Sequence, residues 1–227
     1  MTQLNATCII PFYNEKLNIT QVLQELTQLS FLKQIICVDD GSTDGTAAEV
    51  KQQFPQVELI RLAQNGGKAA AVKAGLDQCR SDNILLFDAD IRNMSHSEVA
   101  TSFQLFTTRA MDMLILGRTC PHPILRVIRG DVIVSGERWL KKRDLENIFS
   151  TLHFEKFALE VAVNHYMIHH QKNSYWFQTS AENTFKTVKY GFVEGWKSTI
   201  SEVISILTSQ FSILNQLVLF RPKKITA

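Results

Sequence analysis

Short apolar runs recur along the first half of the chain, and polar or glycine-containing residues follow each of them. Five such runs are rich in Ile, Val and Leu, at positions 4–10, 34–38, 57–62, 83–87 and 113–116. Runs of this length between turn-forming residues predict buried strands.

Segments with helical spacing separate these strands. The first carries an apolar stripe formed by Ile19, Val22, Leu23, Leu26 and Leu29. Strands that alternate with helices favour right-handed crossovers and a parallel sheet covered on both faces. We therefore predict a single α/β domain with a mostly parallel, Rossmann-like sheet flanked by helices.

The alternation fades after about position 121. The pattern there predicts helices at 137–149 and 154–169, a strand near 175–179 and an apolar helix at 196–220. Because 227 residues suit one core, we divide the chain into a domain at 1–195 and a C-terminal amphipathic helical extension at 196–227. Within the domain, residues 1–120 are expected to bind one substrate and residues 121–195 the other.

Charge and cysteine content restrict the binding partners and the cellular compartment that we expect. A formal net charge of +2 without a dense basic stripe argues against a nucleic-acid partner. The four cysteines are far apart and lack metal-ligand spacing, which indicates a reducing compartment. No signal-peptide pattern stands at the start. We expect a cytoplasmic protein, or one peripherally attached to the cytosolic face of a membrane.

Polar residues follow every predicted strand, at 11–15, 39–42, 64–68, 88–90 and 117–118. Ligands of open α/β sheets bind beyond the carboxyl ends of the strands, so these groups are expected to face one crevice. Asp88 and Asp90 are two residues apart on extended chain and project to the same side. They suit Mg²⁺ or Mn²⁺ whose coordination a diphosphate completes. The alternative is a turn with helix-capping acids.

Two further motifs have open interpretations. Asp39 or Asp40 could accept hydrogen bonds from a nucleobase or ribose, or could cap the following helix. Lys68 follows two glycines and could contact a phosphate, or could simply be exposed. The flanking residues do not form a Walker A motif, and no GxGxxG follows the first strand, which argues against a dinucleotide site.

In order along the chain, four motifs resemble those of family 2 glycosyltransferases with the type A fold: IPFYNE at 10–15, VDDGSTDGT at 38–46, NGGKA at 65–69 and DAD at 88–90. This resemblance implies a nucleotide-sugar donor of the UDP or GDP type. It implies that Pro11, Tyr13, Glu15, Asp39 and Asp40 bind base and ribose with Lys68 nearby, that Asp88 binds ribose or metal, and that Asp90 binds the metal.

The second half resembles the acceptor region of polyprenyl-phosphate glycosyltransferases such as dolichyl-phosphate mannose and glucose synthases. The resemblance rests on Arg118, Arg126, Arg129 and the segment 135–138. We predict that Arg118, Arg129 and Arg138 bind the acceptor, because the guanidinium fork suits phosphate oxygens. An ionised phosphate needs no general base, whereas a hydroxyl acceptor would need one, with Glu137 and Glu160 as candidates.

Two features of that family have no clear match. The Glu-Asp pair that holds the catalytic base in many members is missing, and Glu182 or Asn183 stands where some members have a metal-binding His. His153, His165, His169 and His170 are expected to be surface or packing residues.

The segment 196–220 carries a continuous apolar stripe, and basic residues follow at 221–224. Polar interruptions argue against a membrane span. Such a helix could lie on a membrane surface, join two subunits, or pack against its own domain.

We therefore expect an inverting transfer of a hexose from a UDP- or GDP-sugar to a lipid-phosphate or hydroxyl acceptor. The alternative is a non-catalytic nucleotide-sugar-binding or scaffold domain. A phospho-receiver domain is disfavoured, since its acidic pair follows the first strand, where Pro11 and Phe12 stand here.

Overall fold

The computed structural model describes residues 4–118, 130–152, 159–183, 216 and 219–226. The strands in these ranges are β1 (Ala6–Phe12), β2 (Leu32–Asp39), β3 (Glu58–Arg61), β4 (Asn83–Leu86), β5 (Ile91–Arg92), β6 (Met113–Gly117), β7 (Arg138–Lys141), β8 (Ser174–Gln178), β9 (Glu182–Asn183) and β10 (Lys223–Ile225). The helices are α1 (Ile19–Leu26), α2 (Thr46–Gln53), α3 (Lys68–Leu76), α4 (His96–Thr108), α5 (Gly130–Ile133), α6 (Lys142–Thr151) and α7 (Leu159–His169).

Eight strands form one sheet in the order β10-β8-β6-β7-β4-β1-β2-β3, and β5 pairs separately with β9. Every pairing in the large sheet is parallel except those of β7. The five strands predicted in the first half and the strand near 175–179 are therefore confirmed, as is the mostly parallel sheet.

Helices cover both faces of the sheet. Alternate residues of β1 point to opposite sides, with Ile10 in the core under α1, α2 and α4 and Ile9 in the core under α3, α5, α6 and α7. Gly75 brings α3 close to the sheet, because a Cβ at that position would lie 2.6 Å from Ile9 Cγ2. The layered packing agrees with the alternation of strands and helices in the sequence.

The helix expected at 137–149 is wrong in its first part, because residues Arg138–Lys141 form strand β7 and the helix begins only at Lys142. Tertiary packing decides the conformation of this segment. Trp139 is fully buried against Phe103 and Phe106, and its Nε1 donates to Ser102 Oγ over 2.8 Å. Since β7 runs against its neighbours, its first residues lie at the edge where the parallel strands end.

The described end of the chain packs on the same domain. Phe220 is buried in the core beside α7, and β10 extends the sheet by pairing with β8. Most of the predicted helix at 196–220 lies outside the described residues, so its contact with a membrane or a second subunit stays a prediction. Among the helices that the structure describes, none has the length and apolar character needed to cross a bilayer.

Candidate functional site

Polar side chains from five parallel strands and from the start of β7 meet at the carboxyl edge of the sheet. The contacts run from one strand end to the next, so the groups expected to face one crevice do converge there. Three parts can be distinguished: the loops after β1, β2 and β3, the charged cluster around Asp88, and the turn that precedes β7.

Asp40 joins the loop after β2 to the loop after β3. Its Oδ1 accepts from the Gly66 amide over 2.7 Å and its Oδ2 from the Gly67 amide over 2.8 Å. These contacts fix the turn that leads into α3, whose first residue is Lys68. Asp40 therefore anchors the loop that presents Lys68, a role that the sequence analysis did not foresee.

Asp39 is fully buried at the end of β2. Its Oδ1 accepts from the Ser42 amide over 2.7 Å, and Arg61 Nε lies 3.2 Å from its Oδ2. Ser42 Oγ in turn accepts from the Asn14 amide in the loop after β1. Hydrogen bonds thus connect the loop after β1 with the loop after β2. The contact of Asp39 with a nucleotide stays a prediction.

The residues predicted after β1 differ in their exposure. Pro11 is buried within the strand, whereas Tyr13 is 38% exposed at the rim. Glu15 is buried, and its Oε2 accepts from Asn18 Nδ2 over 3.1 Å. Of the three, Tyr13 has the ring surface on which a base could stack.

Asp88 stands at the centre of the charged cluster. Lys68 Nζ pairs with its Oδ1, and Arg118 Nη2 lies 3.1 Å from its Oδ2. Burial raises the pKa of this carboxyl, but the two cations outweigh burial and lower the pKa to about 2. Asp88 is therefore ionised throughout the physiological range.

Lys68 also pairs with Glu160 near the start of α7, over 2.6 Å. Burial lowers the pKa of Lys68, but the charges of Asp88 and Glu160 outweigh burial and leave that pKa raised. Lys68 is therefore a permanent cation that links the two halves of the domain. Glu160, a candidate general base, is bound to this cation.

Arg118 forms a bidentate ion pair with Glu137. Its Nε lies 2.7 Å from Glu137 Oε2 and its Nη2 lies 3.0 Å from Oε1. Glu137 is fully buried and also accepts from Ser135 Oγ over 3.1 Å. Burial raises the pKa of Glu137, Arg118 opposes this effect, and the net pKa is raised. Both oxygens of this second candidate base are thus in use.

Asp90 lies within electrostatic reach of the same cluster. Burial and the negative charge of Asp88 raise its pKa to about 6, while Arg118 and Lys68 act in the opposite direction. Asp88 and Asp90 therefore form a pair of carboxylates whose mutual repulsion a divalent cation would relieve. No group of three or more His, Cys, Asp or Glu suited to a metal occurs among the described residues. The residues fit a cation for which the substrate supplies the other ligands.

The segment predicted to hold a third metal ligand pairs with the strand that directly follows Asp90. Strand β9 pairs with β5 so that Asn183 stands opposite Ile91, one residue beyond Asp90. The Glu182 side chain is turned to Asn93, whose Nδ2 donates to it over 3.0 Å. A metal contact of either residue stays a prediction.

Gly136 is a further site residue, within the segment 135–138, for which no separate role was predicted. A Cβ at this position would lie 2.5 Å from Lys68 Nζ and 2.6 Å from Asp88 Oδ1. Only a glycine lets the backbone approach the Lys68–Asp88 pair so closely. The glycine between Ser135 and Glu137 was the available signal.

The prediction that Arg138 binds the acceptor is wrong. This side chain is 1% exposed and points into the core beneath α7. Its Nε donates to Ser135 O and its Nη1 to Asn164 Oδ1, each over 3.0 Å. The sequence could not reveal this, because it predicted helix where β7 lies. Arg126, Arg129, Cys120 and His153 lie outside the described residues.

Comparison with known proteins agrees with this arrangement. Residues 7–97 match the model of Glycosyl transferase family 2. This part of the chain therefore resembles family 2 of the glycosyl transferases, and the resemblance carried by the four motifs is confirmed.

Among its relatives is a dolichyl-phosphate beta-glucosyltransferase of Trichomonas vaginalis, 32% identical over 130 residues, which are 51% of this chain and 39% of that protein. Another is the undecaprenyl-phosphate 4-deoxy-4-formamido-L-arabinose transferase of Pseudomonas fluorescens, 37% identical over 93 residues, which are 37% of this chain and 27% of that protein. The chain thus matches less than half the length of either relative.

The chain is also similar to a crystal structure of glucosyl-3-phosphoglycerate synthase from Mycobacterium tuberculosis in complex with Mn²⁺, UDP and phosphoglyceric acid. The TM-score is 0.67 at 16% identity, and the match covers 90% of this chain and 78% of that one. This similarity shows the fold and confirms the predicted type A glycosyltransferase architecture.

Proposed function

We propose that this protein transfers a hexose from a UDP- or GDP-sugar to a polyprenyl phosphate, with inversion at the anomeric carbon and with Mg²⁺ or Mn²⁺. The observation that carries the proposal is the cluster at the carboxyl edge, where Lys68 and Arg118 bind Asp88 and where Asp90 has a raised pKa.

The nucleotide-sugar donor binds to the loops that follow β1 to β4. Tyr13 offers a ring surface at the rim, and Asp39 lies at the base of the neighbouring loop. The diphosphate belongs beside Asp88 and Asp90, with Lys68 as a counter-charge. A divalent cation held by the two carboxylates would neutralise the charge that develops on the departing diphosphate. The relative of known fold was crystallised with Mn²⁺ and UDP, which supports this choice of ligands.

The acceptor belongs beside Arg118 and the turn before β7. A phosphate is favoured over a hydroxyl, because Glu137 is fully buried in the fork of Arg118 and Glu160 is paired with Lys68. Neither carboxylate is placed as an open general base, and an ionised phosphate needs none. Two relatives are a dolichyl-phosphate glucosyltransferase and an undecaprenyl-phosphate transferase, which supports the same class of acceptor.

The proposed reaction is a single displacement at the anomeric carbon of the sugar. An oxygen of the acceptor phosphate forms a bond to the anomeric carbon on the face opposite the diphosphate. The bond from that carbon to the diphosphate oxygen breaks, and its electron pair leaves with UDP or GDP. The product is a polyprenyl phosphate that carries the hexose. Such an acceptor implies that the protein works at a membrane surface.

Sugar transfer tests this proposal directly. The protein is incubated with UDP- and GDP-hexoses, Mn²⁺ and liposomes that contain undecaprenyl phosphate, and lipid-linked sugar is measured. We expect product with one of the two nucleotide classes and no product after chelation of the metal. Tight donor binding without product on any polyprenyl phosphate or hydroxyl acceptor would instead favour a non-catalytic binding domain.

A further inference from the structure

A chain of buried hydrogen bonds connects the C-terminal segment with the turn that carries Gly136. It begins at Gln216, which is 1% exposed. Gln216 Nε2 donates to Val161 O over 2.8 Å, and its Oε1 accepts from Asn164 Nδ2 over 3.2 Å. Both partners belong to α7, so this residue joins the end of the chain to that helix.

Asn164 is the junction of the chain and is fully buried. Its Nδ2 also donates to Ile133 O over 2.9 Å, and its Oδ1 accepts from Arg138 Nη1 over 3.0 Å. The side chain therefore holds both flanks of the turn at 133–138. The Asn164 side chain can hold the turn only if its amide group keeps one orientation. The hydrogen bond from Asn164 Nδ2 to Gln216 Oε1 helps to fix that orientation.

Arg138 connects Asn164 with Ser135 in the turn. Its Nε and Nη2 both donate to Ser135 O, while the single hydroxyl proton of Ser135 is shared between Leu116 O and Glu137 Oε2. No ion pair within the described ranges includes Arg138; its hydrogen bonds run to the neutral oxygens of Ser135 and Asn164, while Glu160 and Glu137 stabilise the cation only at longer range. Loss of one such oxygen is costly in a buried site, and the orientation of Ser135 is correspondingly well defined.

The last links reach the candidate active site. Glu137 holds Arg118 in its bidentate grip, and Arg118 contacts Asp88. Gly136, between the two ends of this turn, lies against the Lys68–Asp88 pair. A shift of the turn would therefore move Arg118 and the backbone at Gly136 together.

We propose that Gln216 is a positioning residue, through which packing of the C-terminal segment on α7 sets the turn at 133–138 and the orientation of Arg118. This inference rests on the proposed function for its effect on sugar transfer, but the mechanical coupling from Gln216 to the turn does not. Asp39 and Asp40 lie outside this chain of contacts, whereas Lys68 and Asp88 meet it at Gly136 and Arg118.

The test compares two substitutions in the same segment of the full-length protein. Gln216→Met keeps the length of the side chain and removes the amide that bonds to Val161 and Asn164. Phe220→Leu is the matched control, because Phe220 is buried in the same segment but contributes only apolar packing. Amide hydrogen exchange at 133–138 is measured in the ligand-free protein. We expect exchange about tenfold faster in Gln216→Met, the factor that corresponds to about 1.4 kcal/mol for a lost buried hydrogen bond, and unchanged exchange in Phe220→Leu.

Kinetics provide the second measurement. In Gln216→Met we expect kcat/KM for the acceptor to fall about tenfold, and the Kd for the nucleotide diphosphate to rise by a smaller factor, because the turn holds Arg118 through Glu137 but reaches the Lys68–Asp88 pair only through packing at Gly136. If Gln216 had a purely structural role, both variants would melt at a lower temperature, and kcat/KM for the acceptor would not fall more than nucleotide affinity. If the wild-type protein transfers no sugar, the proposed function fails, and the exchange measurement still decides the coupling.

A double variant tests the route through Asn164. If Gln216 acts through Asn164, adding Gln216→Met to Asn164→Ala has no further effect on exchange at 133–138. Equal exchange in Gln216→Met and Phe220→Leu, or additive effects in the double variant, would overturn the inference. Should Asn164→Ala not fold, the comparison of Gln216→Met with Phe220→Leu is decisive by itself.

Discussion

Replacement of Gly136 by alanine would place a methyl group inside the ion pair at the centre of the site. The added carbon would lie 2.6 Å from Asp88 Oδ1, whereas ordinary contacts begin at 3.4 Å. Asp88 Oδ2 would lie closer still, so the pair or the turn must move by roughly 1 Å. Because Lys68 and Arg118 both bind Asp88, either response disturbs the whole cluster.

The expected cost follows from the contact that is lost. A buried hydrogen bond between charged groups contributes about 1.5–3 kcal/mol, so we expect Gly136→Ala to lower the free energy of unfolding by that amount. Displacement of Asp88 should also weaken nucleotide-diphosphate binding in the presence of Mn²⁺ by about tenfold or more. Urea denaturation measures the first quantity and calorimetric titration the second.

Gly45→Ala is a suitable control, because Gly45 has φ = +87° and a Cβ there would have its nearest neighbour 4.0 Å away, at Lys16 Nζ. This variant should lose about 1 kcal/mol through backbone strain alone and keep its nucleotide affinity. If Gly136→Ala unfolds at the wild-type urea concentration and binds nucleotide as the wild type does, the assigned packing at Gly136 is incorrect.

Two further predictions concern charge. Since the pKa of Asp90 is raised to about 6, the folded protein retains a proton that the unfolded chain releases at lower pH, and this group makes stability fall as pH rises towards 6. Metal-dependent nucleotide affinity should do the reverse, rising about tenfold per pH unit up to about pH 6 and then levelling; a profile of the same shape in Asp90→Asn would refute this assignment. Arg138→Met should cost about 1–3 kcal/mol in urea denaturation, because Ser135 O and Asn164 Oδ1 lose their donor. Unchanged stability in that variant would contradict the structural role of Arg138.

The sequence predicted well which polar residues meet after strands β1 to β4, for a physical reason. Parallel strands end at the same edge, so residues placed directly after apolar runs had to meet once the runs were recognised as strands. The contacts of Asp40 with the glycine loop and of Lys68 with Asp88 follow from that geometry. Periodicity alone could not reveal that Asp40 anchors backbone amides.

The region around β7 was predicted less well, because this short strand was interpreted as helix. Arg138 and Glu137 stand beside each other in the sequence, and only the antiparallel pairing of β7 shows that Arg138 turns into the core while Glu137 meets Arg118. The spacing of Trp139 and Leu140 fits either element. The large buried surface of Trp139 decides between them, and that surface depends on residues more than thirty positions away.

The central claim is that the strand ends form one nucleotide-diphosphate site whose cation is held by Asp88 and Asp90. Calorimetric titration of UDP and GDP into the wild-type protein and the Asp90→Asn variant, with and without Mn²⁺, tests it most directly. The account predicts that the wild type binds one of the two nucleotides at least tenfold more tightly with Mn²⁺, and that the variant loses this dependence on the metal. Binding of neither nucleotide by the wild type, or the same metal dependence in Asp90→Asn, would contradict it.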